Sequence, residues 1–123
     1  MSDSAQYAIH AQALFSALEK MDVQRLIDEC TDPWYNQTLC HVNDSVVRLG
    51  VMQGEFHWHR HDHEDEFFLV LDGRFRIELE DRVVELGPRQ AFTVPKGVLH
   101  RPVVPVRTAV IMIESAGLKP TGD

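Results

Sequence analysis

Two cysteines in 123 residues, Cys30 and Cys40, are too few for a disulfide framework, so the fold is expected to rest on an ordinary apolar core with both thiols reduced. Basic residues are also scarce. Twelve Lys and Arg stand against nineteen Asp and Glu, a net charge of −7, which argues against nucleic acid or an anionic membrane surface as partner. No apolar run approaches the length of a membrane span, and the first residues, "MSDSAQYAIHAQAL", lack a basic segment followed by an apolar one. A soluble cytoplasmic protein is expected. There is no glycine-rich phosphate loop and no Ser/His/Asp or Cys/His arrangement, which weakens hydrolase and phosphotransferase readings. Internal repeats and low-complexity segments are absent as well.

What the chain does have is 44% apolar residues, a length suited to one domain, and two kinds of periodicity. Helical spacing is confined to residues 4–30. There, Ala11, Leu14, Phe15, Leu18 and Met21 form one stripe, and Asp22 is placed to cap a second short helix carrying Val23, Leu26, Ile27 and Cys30. Pro33 ends the pattern. From about Thr38 the period becomes that of strands: "QTLCHV" and "SVVRLGVMQ" around an Asn43-Asp44 turn, then "FHWHRH", "FFLVLDG", "RFRIELE", "RVVEL", "AFTVP", "RPVV" and "RTAVIMIE". Many short strands between closely spaced turn residues predict an all-β barrel or sandwich over residues 34–123, preceded by a helical extension over 1–33. The closing "LKPTGD" reads as a tail. "FFLVLD" and "TAVIMIE" are apolar on both faces, so both sides need cover. The outer cover is expected from the N-terminal helices or from a second subunit in a homodimer.

Four of the seven histidines lie at 57, 59, 61 and 63, with acids following at Glu64, Asp65 and Glu66. In an extended chain, residues two apart share a face about 6.6 Å from each other, so His59 and His61 can converge on one ion. "DHED" is polar enough for a turn, after which Glu66 returns opposite the histidines as an oxygen ligand. His100, in "PKGVLHRP", is the remaining histidine embedded in strand sequence and completes the set. Three imidazoles and a carboxylate suit a divalent first-row metal. Ligation needs neutral imidazole, so metal loss is expected as pH falls below about 6. His57 shares the parity of His59 and is a pocket candidate, whereas His63 falls in the turn and His10 and His41 fall outside the site. Phe68, Val70 and Phe92, with Val94, are candidates for an apolar pocket wall. Phe56 and Trp58 are expected to point away from the metal. Arg48 and Arg76 are the basic residues best placed to meet an anion, although an outward surface position is the commoner fate of each.

These residues carry a family resemblance. "GEFHWHRHDHEDEFFLVLDG" resembles the first cupin motif, with His59, His61, Glu66 and Gly73 filling its key positions. "PKGVLH" is similar to the second, with Pro95, Gly97 and His100. "DPWYNQ", "NDSVVRL" and "IESAGLKPTGD" extend the likeness to compact bacterial cupins of the phosphomannose-isomerase-like group. Three departures stand out: a short step from Gly54 to His59, Arg89 where the second motif opens with glycine, and Val104 where it closes with asparagine. Arg89 suggests a turn that avoids positive φ. The resemblance implies a cupin jelly roll binding Fe, Mn, Ni, Zn or Cu, with two coordination positions open. It further implies an oxygenase-like activity on a small oxygenated molecule; the alternatives are a sugar or keto-acid isomerase and a non-catalytic module for a metal or small ligand.

Overall fold

A computed structural model describes residues 7–123. The expectation of helix over residues 4–6, and the first six residues of the proposed extension, lie outside the described residues. The elements are β1 (Ala8–His10), α1 (Val23–Glu29), β2 (Trp34–Val42), β3 (Ser45–Glu55), β4 (Glu66–Asp72), β5 (Phe75–Leu79), β6 (Val83–Leu86), β7 (Ala91–Val94) and β8 (His100–Ser115).

The hairpin β2–β3 forms where the turn residues Asn43 and Asp44 stand, with Val42 opposite Ser45 and Asn43 in the left-handed region at φ 53°. β3 pairs antiparallel with β8, and β8 in turn joins β4 over 109–114 and β5 over 100–103. "RPVV" and "RTAVIMIE", expected as two strands, are thus halves of one long strand. By changing partner from β5 to β4 along its length, β8 belongs to both walls and closes the jelly roll. β7 covers the other side of β4, and β6 the other side of β5. Inside lie Trp34, Met52, Phe68, Val70, Phe75, Ile77 and Val110, all buried at alternate strand positions. Gly73 makes the turn from β4 to β5 possible. It sits at φ +95°, and an added Cβ would come within 2.8 Å of the Arg107 carbonyl oxygen.

The N-terminal segment departs from its helical spacing. Among the described residues only Val23–Glu29 is helical, with the Asp22 carboxylate accepting the Arg25 N–H at 3.2 Å as the cap. Residues 11–21 instead lie along the sheet, the Leu14 and Phe15 N–H groups donating to the Thr38 and Leu39 carbonyls at 3.1 and 2.9 Å. β1 adds to β2 as a parallel strand. The free edge of β2 offers acceptors that a solitary short helix cannot match, and this pairing overrides local propensity. Leu18, expected on the apolar stripe, is fully exposed at φ 69°. Phe15, Val23, Leu26, Ile27 and Cys30 do cover a sheet face, but it is chiefly that of Leu39, Leu49 and Val51 on β2 and β3, with Ile111 from β8. The outer face of "FFLVLD" receives no such cover, and Leu71 and Ile113 stay exposed.

Arg89 corrects another expectation. It takes φ 67°, so the turn before β7 does require the left-handed region, and a non-glycine residue occupies it. Its N–H donates to the Val70 carbonyl at 2.7 Å, which holds the conformation in place. Both cysteines are free thiols. Among the described residues no helix is long and apolar enough to cross a membrane.

Candidate metal centre

"FHWHRH" is not a regular strand. Phe56 donates its N–H to the Pro102 carbonyl at 3.0 Å, and His59 forms an isolated antiparallel bridge with His100, each N–H donating to the other's carbonyl at 2.9 Å. That bridge sets the two rings side by side, centroids 4.3 Å apart. His61 follows two residues later, and its carbonyl accepts the Gly97 N–H at 2.8 Å, which ties the histidine segment to the Pro95–His100 turn. Glu66 opens β4 between Val94 of β7 and Glu114 of β8. The second motif therefore acts through its backbone as well as its histidine.

The four side chains meet. One ligand atom from each of His59, His61, Glu66 and His100 lies within 4.8 Å of all the others, and the residues are 8, 3, 5 and 1% exposed. Opposite ligands on an ion at about 2.1 Å stand roughly 4.2 Å apart, so closing by about half an ångström would bring all four into bonding range. The imidazoles are set for it. Nδ1–H of His59 donates to the His57 carbonyl at 3.0 Å and that of His100 to the Val98 carbonyl at 2.9 Å, which leaves the Nε2 lone pairs for the centre. His61 Nε2 and His100 Nε2 stand 3.3 and 3.6 Å from Glu66 Oε1. All three atoms are buried and make no hydrogen bond. Buried polar atoms rarely go without partners, and an orphaned set converging on one point is what a cation would satisfy. The residues present fit a divalent metal ion.

Electrostatics agree with that fit. Burial pushes the His59 pKa down to about 4, with the neighbouring His100 adding to the effect, so its ring is neutral. Burial alone would raise Glu66. Contacts with His100, His61 and Glu114 outweigh it and hold this carboxyl well below the usual carboxylate range. Glu114 goes the other way, pushed up by burial and by the charge of Glu66 beside it. The two carboxyls are thus driven in opposite directions, Glu66 toward the ionised form and Glu114 toward the protonated one.

Glu114 and Arg48 were not foreseen in these roles. Arg48, expected on the surface or facing an anion, is 3% exposed, with Nε 2.8 Å from Glu114 Oε1. The signal was present in the sequence: both are charged residues at inward parity in apolar strands, Arg48 with Val46 and Glu114 with Met112. Arg76, by contrast, lies at the surface against Glu85.

A small cavity, open at its mouth, adjoins the centre and is bordered by His59 and Glu66. Phe68 lines it as expected, whereas Val70 and Phe92 pack into or against the core. Phe56 does not point away. It lines the cavity and meets His59 edge-on, centroids 5.1 Å apart. Trp58 does point away, exposed beneath the Arg101 guanidinium, 5.4 Å from its ring centroid. His57 stacks on Phe56 at 4.3 Å, and its Nε2–H donates to the Thr121 carbonyl at 2.6 Å. His63 is exposed in the turn, and Asp65 accepts the Lys96 N–H at 2.9 Å, away from the cluster.

That contact to Thr121 belongs to a larger correction. "LKPTGD" is no loose tail: Pro120 borders the cavity, Gly122 lies against His59, and Asp123 is bonded to Arg60 and Asp62. No periodicity announces such a segment, because it is held by backbone contacts.

Comparison with known proteins agrees with the geometry. The cupin domain model matches residues 45–114, more than half of the chain. The chain is 36% identical over 90 residues to the uncharacterized protein YdbB of Bacillus subtilis, covering 72% of this chain and 80% of that one. It is 31% identical over 85 residues to a mannose-1-phosphate guanylyltransferase of Sinorhizobium fredii, covering 67% of this chain but only 17% of that protein. Among solved structures, a cupin-2 domain containing protein from Shewanella frigidimarina superposes with a TM-score of 0.74 at 27% identity, covering 77% of this chain and 93% of that one. The chain belongs to the cupin family, and it is a small single-domain member with a buried three-histidine, one-glutamate group able to hold a metal.

Proposed function

We propose that this cupin is a metal-dependent enzyme with an oxygenase-like activity on a small oxygenated molecule. One observation carries the reading: buried, partnerless Nε2 and Oε1 atoms converge beside an apolar cavity. His59, His61, Glu66 and His100 would hold a divalent Fe, Mn, Ni, Zn or Cu ion. Such an ion, when bound, would supply Lewis acidity and, if redox-active, access to dioxygen. The chain's own contribution is positional. The His57 and Val98 carbonyls fix the imidazole tautomers, and the Glu66–Glu114 pair keeps Glu66 ionised at the centre. Phe56, Phe68 and Trp34 keep water from the cavity wall.

Elemental analysis of protein from its native host should find close to one ion per chain. Replacing both His59 and His61 by Ala should abolish it; unchanged stoichiometry refutes the ligand set. With a dicarbonyl or catechol-like substrate the redox-metal form should consume oxygen, and full turnover with Zn(II) under argon would sink the oxygenase reading. Sugar or keto-acid isomerisation is the alternative reading, and it requires activity without oxygen with several divalent ions. A non-catalytic module would show thermal stabilisation by ligand and no turnover. Exposed Leu71 and Ile113 support a homodimer through the outer face of β4 and β8, which light scattering at micromolar concentration would detect. The net charge of −7 supports a small molecule rather than nucleic acid or membrane as partner, and a cytoplasmic setting is part of the same proposal.

A further inference from the structure

Asn36 is the unexplained polar group of the cavity. It points inward from β2 between Trp34 and Thr38, is 7% exposed, and its Oδ1 accepts no hydrogen bond. Among the described residues, apart from the metal-centre residues His59 and Glu66 and the indole N–H of Trp34, the other side chains bordering the cavity are apolar. A buried carboxamide oxygen without a partner is a net cost to folding, and an apolar side chain there would avoid it. A ligand that donates a hydrogen bond removes the cost.

We infer that Asn36 orients the substrate, and that the substrate is a small molecule with chelating oxygens at one end and an uncharged hydroxyl at the other. The inference rests on the proposed metal centre having open positions. Charge is disfavoured at the end of the substrate that lies away from the metal. Among the described residues no Lys or Arg borders the cavity. A phosphate or carboxylate at that far end would lose its water, face the acceptor oxygen of Asn36 and find no bordering counter-charge. Molecules with an anionic group at that end therefore suit the cavity poorly, whereas a hydroxyl there can donate to Asn36.

Three hydroxypyranones share one metal-chelating hydroxy-ketone and differ in a single substituent: allomaltol carries a methyl, kojic acid a hydroxymethyl and comenic acid a carboxylate. Calorimetric titration of each into the Zn(II)-loaded protein should give kojic acid about a tenfold tighter Kd than allomaltol, with comenic acid weakest. In Asn36→Leu the kojic acid advantage should shrink to within about twofold while allomaltol binding persists. Asn36→Asp keeps the size and an acceptor oxygen, so it should retain the kojic acid preference and reject comenic acid further; it also serves if the leucine variant fails to fold. Equal affinity for kojic acid and allomaltol in the unmodified protein, or tightest binding of comenic acid, overturns the inference and leaves the open metal centre standing. If none of the three binds although one Zn(II) per chain is present, the reading of open positions fails, and this inference with it.

Discussion

Acidification of the metal-free protein should remove stability through His59, and the size of the loss follows from its surroundings. In the unfolded chain this imidazole titrates near 6.5; in the fold, burial and the neighbouring His100 bring it to about 4. Above pH 6.5 both states carry it neutral, and it contributes no pH dependence. Between 6.5 and 4 the unfolded chain takes up the proton and the fold does not, so stability falls as pH falls. At about 1.4 kcal/mol per pH unit the loss reaches roughly 2–3 kcal/mol by pH 4.5 and levels off below pH 4. That is a large share of the 5–15 kcal/mol typical of a domain. Other groups titrate in the same range, so the quantity to measure is a difference. Urea denaturation of chelator-treated wild type and His59→Leu, followed by tryptophan fluorescence at pH 7, 6, 5 and 4.5, isolates it. Wild type should lose about 2–3 kcal/mol more than the variant over that interval, and one equivalent of Zn(II) should enlarge the gap at pH 7 by stabilising wild type alone. Parallel pH profiles, or a variant that loses more than wild type, would refute the buried neutral imidazole. The same neutral ring means that proton competition at His59 begins nearer pH 4 than the pH 6 expected from the sequence.

Glu114→Gln mimics the protonated acid. In metal-free protein at pH 7 it should be neutral or stabilising, by at most about 3 kcal/mol, because a raised pKa costs stability as pH rises above the ordinary value and costs nothing below about 4.5. Destabilisation by more than about 2 kcal/mol in urea titrations would show instead that an ionised Glu114–Arg48 pair dominates. Gly73→Ala should cost roughly 3 kcal/mol or more in chemical denaturation, since a positive φ and a contact with the Arg107 backbone act together; a loss under about 1 kcal/mol would contradict the turn geometry. Leu49→Ala, emptying the centre of the layer beneath the N-terminal segment, should lose about 2–5 kcal/mol by the same assay. Removal of residues 119–123 should speed metal stripping by EDTA severalfold with little change in metal stoichiometry, because Pro120 and Gly122 border the site without contributing ligands; an unchanged stripping rate would mean they shield nothing.

The sequence by itself determined most of the barrel and the identity of the four clustered residues. Alternation with period two is a direct record of which side chains face inward, and the hairpin at Asn43-Asp44 and the turn at Gly73 are local conformational demands. His59, His61 and Glu66 were legible from two-residue parity and the turn that follows, and His100 as the remaining histidine in strand sequence, both within cupin-like motifs; the structure then sets His59 and His100 across one bridge. The tertiary structure alone decided what depends on distant partners. Residues 11–21 have a helical stripe, yet their backbone found acceptors on the edge of β2, more than twenty residues away. The C-terminal residues have no pattern at all and are held over His59 by backbone contacts to the histidine segment. Asn36 looks like an ordinary polar residue in a string, and Arg48 and Glu114 show only an inward parity in apolar strands. Only closure of the sheet buries them together around the cavity and centre, where a missing partner or a second carboxylate becomes energetically important.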